Sequence, residues 1–339
     1  MAQRKPVYYG EYLQLDKILN AQEPESMKEG ITANDEMLFI IIHQTYELWF
    51  KQILHELTLV REVFKKPNMP NNSPDIYNCL HRLKRVSSIL EIAVSQMGIM
   101  ETMTPLDFLD FRDLLRPASG FQSIQFKIME AMLGLEFTQR HGQGYYLSQL
   151  KPEDVQKVKD AEKEEPLLSL VNKWLQRMPY ITDVVYWENA SSFWGKYRAA
   201  YASSLSEMEK GNLQTFDKLF ITDDGGDNRK LSLQANRNAL FIMLYRDYPL
   251  LHLPYEFLNT LLEIDEFLSL WRYRHIHMVQ RTIGKRVGTG GSTGAEYLRG
   301  AADSHYIFKE FSELTSFLLP RNLLPQLPSQ LVQDLSFTK

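Results

Sequence analysis

Residues 35–65 read DEMLFIIIHQTYELWFKQILHELTLVREVFK. Phe39, His43, Tyr46, Phe50, Ile53, Leu57, Val60 and Phe64 recur at steps of three and four, which is the apolar seam of one long amphipathic helix. His43 is the polar ring on that seam, apart from the amphipathic Tyr46. A second stretch, PYEFLNTLLEIDEFLSLWRYRHIHMVQRTI over 254–283, is built the same way. There Phe257, Leu261, Ile264, Leu268, Trp271, His275, Met278 and Thr282 share a seam, and His275 stands where an apolar residue is expected. His277 lies about 200° around the helix from it, so the two rings cannot face one pocket. His55 and His81 fall off the seams and read as surface residues.

Outward from these two helices the chain stays helical. A short helix is expected near Gly10–Asn20, a long one over Pro74–Met100, and shorter ones over Pro105–Arg116 and Gln122–Leu135. Ser73-Pro74 and Thr104-Pro105 each set an N-cap hydroxyl before a proline at the first helical position. Lys151–Glu165 carries ten charged residues in fifteen and reads as a solvated, partly helical segment. Further helices are expected at Leu167–Met178, Ala190–Lys210 and Leu231–Arg246, with a last one ending before Pro320. No alternating run is flanked by hairpin turns. The expected fold is an all-α helical bundle with a pocket between its long helices: one domain over 1–339, carrying a polar helical insertion at about 140–230.

Composition narrows the chemistry. The 339 residues carry 38 Lys plus Arg against 42 Asp plus Glu, a net charge of −4, which lacks the basic surplus that nucleic acid demands. The single cysteine, Cys79, excludes an internal disulfide, a cysteine-ligated iron–sulfur site and a Cys-x-x-Cys-His haem attachment. It reads as a small buried hydrophobe. The longest apolar run, Ala239–Tyr245, has seven residues against the roughly 20 of a membrane-spanning helix. The amino terminus lacks the apolar core of a signal peptide, so the expected location is cytoplasmic, with no membrane and no nucleic-acid partner.

On the Pro105–Arg116 helix, Arg112 falls on an arc with Phe108, Leu109, Phe111 and Leu115, opposite Asp107, Asp110 and Asp113. None of its neighbours at three and four residues is acidic, so no acid of its own helix is expected to pair with it. A ligand carboxylate held bidentately, a tertiary salt bridge, or a packed stem with a solvated head would each satisfy it. The loop Gly288–Gly294, GTGGSTG, follows a helix instead of a strand and lacks a Gly-Lys-Ser/Thr, so it fails as a nucleotide fingerprint; it reads equally as a nest for a small anion built from its amides and Thr289, a flexible lid, or a plain connector. Asp223–Asp227 fails as a calcium loop because Gly225 occupies a ligand position. No Glu-x-x-His is present, which removes a ferritin-like di-iron site. The residues describe a helical pocket with two histidines, one arginine and many aromatics. That suits a non-covalent haem with a single axial imidazole, and equally a helical binding protein without catalysis.

The same residues carry a resemblance. DEMLFIIIHQTYELWFKQI (Asp35–Ile53), ETMTPLDFLDFRDLLRPASGFQSIQF (Glu101–Phe126) and LWRYRHIHMVQRTIGKRVGTGGSTG (Leu270–Gly294) closely resemble the tryptophan 2,3-dioxygenase family, and YGEYLQLDKILNAQ (Tyr9–Gln22) is similar to its amino-terminal segment. The likeness runs from Tyr9 to about Leu135 and from Leu231 to about Pro325, while Glu136–Lys230 shows no distinctive block. The resemblance implies a helical homotetramer with one non-covalent haem b per subunit. It also implies insertion of both atoms of O2 across the indole C2–C3 bond of L-tryptophan, giving N-formyl-L-kynurenine, the first step of the kynurenine pathway.

Residue by residue, the resemblance makes His275 the iron ligand and His43 the distal histidine that meets the indole N–H. It makes Arg112 the clamp for the substrate carboxylate and Thr289 a holder of the amino-acid head group. Phe39, Phe108 and Leu115 match the indole walls, and Ser119 and Gly120 match a turn beside the haem. Tyr9 and Tyr12 match tyrosines that enter a neighbouring subunit's site. Phe108 presents no hydroxyl where some relatives place a tyrosine, which bears on fine pocket polarity alone. His43 is expected to orient substrate instead of acting as a base, since an indole N–H is too weakly acidic for imidazole. The rival readings are a haem hydroxylase of an aromatic amino acid or indole derivative, and a non-catalytic tryptophan-binding protein.

Overall fold

The structure, a computed structural model, describes residues 5–67, 73–141, 146–181, 186–187, 191–222, 229–288 and 295–336. Among these the regular elements are helical. The first seven are α1 (Tyr9–Leu13), α2 (Leu15–Leu19), α3 (Glu25–Lys28), α4 (Asp35–Phe64), α5 (Pro74–Met100), α6 (Pro105–Arg112) and α7 (Ile124–Leu133). Then come α8 (Pro152–Lys163), α9 (Leu167–Gln176), α10 (Ser191–Ser204), α11 (Asn212–Phe220) and α12 (Leu233–Leu244). Last are α13 (Pro249–Ile283), α14 (Ala295–Ser304), α15 (Lys309–Glu313) and α16 (Ser329–Ser336). The all-α expectation holds, and no described helix is long and apolar enough to cross a membrane.

The starts of α5 and α6 follow their capping chemistry. Ser73 Oγ accepts from the Ile76 amide, and Thr104 and Asp107 form a reciprocal box, Thr104 N–H donating to Asp107 Oδ2 at 2.9 Å. The expected Pro105–Arg116 helix is shorter: α6 stops at Arg112 and tightens into a 3-10 turn over Asp113–Leu115. Pro117 ends that turn, since it drives Arg116 to an extended ψ of 130°. The helix expected from Pro254 begins five residues earlier, at Pro249, and tolerates Pro254 inside it. Pro249 takes the first-turn place where a missing N–H costs nothing, so Pro254 was the wrong start signal. Helices α3, α11 and α16 had no counterpart in the sequence reading, and the last helix expected before Pro320 is divided into α14 and α15.

The core forms where α5 packs against both α4 and α13. The seam residues Ile53, Leu57 and Val60 of α4 and Phe257, Leu261, Ile264 and Leu268 of α13 are all fully buried. Buried acids bind the frame together. Glu56 of α4 accepts from Arg82 and Arg85 of α5 at 2.8 and 2.6 Å. Asp265 of α13 takes the amides of Ile307 and Phe308 at 3.1 and 2.8 Å, which anchors the connector between α14 and α15 to the middle of the long helix. Each acid thereby gains charge-assisted hydrogen bonds that a buried carboxylate needs.

The stretch at about 140–230 is not polar as expected. Among its described helices only α8 answers that description, with Val158 its one buried residue. Trp174 of α9, Trp194 and Tyr197 of α10, and Phe216 and Phe220 of α11 are buried. Trp194 stacks on Phe220 at 5.3 Å with an interplanar angle of 5°, and the Arg237 guanidinium lies 5.5 Å from the Trp194 centroid. These rings are continuous with the main core. Their bulk predicts that Trp194→Ala lowers unfolding free energy by about 3–5 kcal/mol, read from guanidinium unfolding followed by circular dichroism. A wild-type midpoint would show the segment to be peripheral to the cooperative core.

Candidate functional site

Both apolar seams lead out of the core into a common space. Towards the start of α4 the seam passes from fully buried residues to half-buried Phe39 and His43, and towards the end of α13 to half-buried Trp271, His275, Met278 and Thr282. These residues line one cavity of about 300 Å³. Met97 and Met100 at the end of α5, Phe108 and Arg112 of α6, the Ser119–Gly120 turn and Phe126 of α7 line the same space. The walls are mostly aromatic and thioether groups, the common make-up of a site for a large planar ligand.

His43 has a defined tautomer. Its Nδ1 lies 2.7 Å from the carbonyl of Phe39, an oxygen that can only accept, so Nδ1 carries the proton and Nε2 is left as an acceptor. The Phe39 ring lies 4.1 Å from the imidazole, and Phe108 lies 5.7 Å from Phe39. Burial lowers the His43 pKa below its ordinary 6.5, against the opposing pull of the Phe39 carbonyl and the Glu47 carboxylate.

His275 is enclosed more deeply. Desolvation, helped by His43, pulls it to about 4, so the ring is neutral at physiological pH. Its Nδ1 is buried without a hydrogen-bond partner among the described residues. Trp271, one turn earlier, stacks on the ring at 5.1 Å and 27°, and Phe126 of α7 lies 5.0 Å from Trp271. A neutral, laterally fixed imidazole in an apolar cavity is what a single axial ligand to iron requires, and the wide aromatic space suits a macrocycle that brings the remaining donors itself. The residues therefore fit a haem. Among the described residues no group of three His, Cys, Asp or Glu gathers to hold a bare metal ion.

Arg112 is 4% exposed. Its guanidinium donates to the carbonyl of Val287, the residue before Gly288, so the glycine-rich loop begins beside it, and Gly288 itself lines the cavity. Nε has no partner among the described residues. One expectation is corrected: Asp113 does approach, Oδ1 lying 3.7 Å from Nη1, because the chain tightens into a 3-10 turn there. That carboxylate is 77% exposed and its contact is loose, so screening leaves it a weak partner.

Ser119 caps its turn, accepting from the Phe121 amide at 3.3 Å. Leu115 packs against the core and does not line the cavity. Tyr9 and Tyr12 are each 75% exposed on α1 and lie outside this chain's own cavity. Thr289 and the loop Asp223–Asp227 lie outside the described residues. Cys79 is fully buried, and burial pushes its thiol up to about 12.

The sequence reading missed a charged cluster in the same cavity wall: Lys127, Glu130, Arg140, Arg272 and His305, with Tyr146. Glu130 accepts from Arg140 at 2.5 Å and from Arg272 at 2.7 Å. Burial alone would raise its carboxyl, but Arg140, with His305 and Arg272, outweighs that and holds it well below the usual range. The test applied to Arg112, a charge on an apolar arc, would have flagged Lys127 and Glu130 on the otherwise apolar helix IQFKIMEAML.

Comparison with known proteins gives a consistent result. A family model described as Tryptophan 2,3-dioxygenase matches residues 2–224 and 212–318. The chain is 41% identical over 365 residues to a Tryptophan 2,3-dioxygenase of Dictyostelium discoideum, an alignment spanning 98% of this chain and 89% of that one. It is 42% identical over 361 residues to that of Alteromonas mediterranea, spanning 98% of each. With that of Rattus norvegicus it shares 37% over 353 residues, 96% of this chain and 86% of the other. The likeness runs through the middle of the chain as well, where the sequence reading found no distinctive block. The chain belongs to the tryptophan 2,3-dioxygenase family.

Proposed function

We propose that the cavity between α4, α5, α6, α7 and α13 is where this enzyme, an oxidoreductase of tryptophan catabolism, opens the indole ring of L-tryptophan with both atoms of O2 to give N-formyl-L-kynurenine. The observation that carries the reading is the pair of neutral imidazoles, His43 and His275, facing one apolar cavity with the buried Arg112 guanidinium in its wall. His275 would hold haem b, one per subunit and without covalent attachment. The bound haem would supply the binding and activation of O2.

The chain's own residues do the rest. Arg112 binds the substrate carboxylate with the donors that Val287 leaves free, a charge-assisted contact made stronger by burial. Thr289, two residues beyond Val287, holds the same head group. Phe39 and Phe108 flank the indole face, and the Ser119–Gly120 turn closes the cavity beside the haem. Leu115 supports the wall from behind. His43 Nε2, fixed as an acceptor by the Nδ1–H bond to Phe39, takes the hydrogen bond of the indole N–H. The lowered pKa of His43 makes it a weaker base than an ordinary histidine, so it orients the ring and does not deprotonate it. Holding both ends of the substrate converts an encounter into a positioned reaction, and the apolar walls exclude competing water.

Assembly extends the site. The exposed Tyr9 and Tyr12 of α1 would enter the cavity of a neighbouring protomer in a cytoplasmic homotetramer, all 339 residues acting as one haem-dioxygenase domain.

The direct test loads the protein with haem, reduces it, adds L-tryptophan and air, and identifies the product by mass. A gain of two oxygens is expected. A gain of one would make it a hydroxylase, and no product with haem and tryptophan bound would make it a binding protein. Arg112→Leu should raise KM for L-tryptophan roughly ten- to a hundredfold, the worth of one or two charged hydrogen bonds, and leave tryptamine kinetics unchanged. Equal wild-type use of tryptamine and tryptophan would remove the carboxylate clamp. The pH profile supplies a third check. Because the His43 pKa is lowered, its acceptor form persists as pH falls through 6.5, so the acid limb of kcat/KM assigned to His43 should lie below that value. His43→Ala should keep residual turnover and lose that limb.

A further inference from the structure

The charged cluster in the cavity wall has one cation more than it has anions. Glu130 engages Arg140 and Arg272, and Glu162 Oε1 lies 3.6 Å from Arg140 Nε, so two carboxylates match two guanidiniums. Lys127 is left over. It is 7% exposed and lines the cavity, with its ammonium 4.8 Å from the Tyr146 centroid, a ring that the Arg140 guanidinium also covers at 4.1 Å. Among the described residues no carboxylate oxygen lies within 4.0 Å of the ammonium and no hydrogen bond leaves it. A cation–π contact alone is a poor exchange for the lost hydration of an ammonium. Burial pulls Lys127 to about 8, with Glu130 raising it and Arg140 lowering it, so it remains mostly charged at neutral pH.

We propose that Lys127, backed by Arg140 and Arg272, is a carboxylate-binding site of the cavity, occupied by a propionate of the bound haem. The inference rests on the haem reading of the cavity and adds a group to it that the two histidines and Arg112 do not require. A single surplus charge matches a monoanion, and a carboxylate oxygen accepts the ammonium's free donors without displacing the Glu130 bonds. Arg112 is a separate cation on another helix, already bonded to the Val287 carbonyl. The same chemistry is met by a small free carboxylate, and the experiment separates the two sources.

The full-length protein is loaded with haem b or with its dimethyl ester, in which both carboxylates are masked, and the rate of haem loss to a scavenging apoglobin is measured. Wild type should release the ester at least tenfold faster than haem b. Lys127→Met should narrow that ratio at least fivefold by releasing haem b faster, and Lys127→Arg, which keeps the charge, should restore it with the same circular dichroism spectrum. The haem-loaded wild type is also titrated with acetate and benzoate. A saturable shift of the haem absorption band that Lys127→Met abolishes, together with an unaltered ester ratio, keeps the carboxylate site but overturns the propionate as its occupant. An unaltered ratio with no saturable shift overturns the site. Failure of the haem reading looks different: wild type would bind no haem, or His275→Ala would leave the haem spectrum unchanged.

Discussion

The packing of α4 and α13 against the two sides of α5 is the constraint on which the rest of the molecule depends. Along most of their length the seams of these helices are spent on each other's neighbours, and burial of residues such as Ile53 and Leu261 supplies the drive that orders them. α5 ends at Met100, before the seams do. Beyond that point Phe39, His43, Trp271 and His275 have no helix to fill the space between them, and a cavity results. The site is thus the unfilled end of the core, so its walls inherit the rigidity of the longest helices.

Low polarity then sets the chemistry of what the seams carry. Desolvation keeps both histidines neutral, which suits His275 to ligate iron and His43 to accept a hydrogen bond. The same environment makes every uncompensated charge expensive: Glu130 is compensated by two arginines, and Arg112 in part by a backbone carbonyl. Like Arg112, whose Nε has no partner among the described residues, Lys127 is a buried cation whose electrostatics an anionic ligand would complete.

The charged cluster also couples the site to the fold. Arg272 stands one turn before His275 on α13, and its guanidinium reaches both Glu130 of α7 and the carbonyl of His305 at 3.0 Å. Phe126 and Glu130, four residues apart on α7, therefore grip the adjacent Trp271 and Arg272. Together with Asp265 holding Ile307 and Phe308, these contacts fix the turn bearing His275 from two directions. Imidazole orientation is in this way decided by several elements at once, as a pre-organised site requires.

Much of this was legible in the order of residues, because a helix's periodicity is local. The long helices, their caps, their seams and the anomalous positions of His43, His275 and Arg112 follow from 3.6 residues per turn and from proline and hydroxyl chemistry at helix starts. The family resemblance supplied roles for those positions. Tertiary structure decided what depends on contacts between distant segments. It joined the two seams in one cavity and set Val287 against Arg112. It also gathered Lys127, Glu130, Arg140, Arg272 and His305 from four segments into one charged wall. It turned the stretch taken for a polar insertion into an aromatic extension of the core, since Trp194, Phe216 and Phe220 are too widely spaced for any helical wheel to show that they meet. Periodicity reports which face of a helix is apolar; which other face it meets is fixed only when the whole chain has packed.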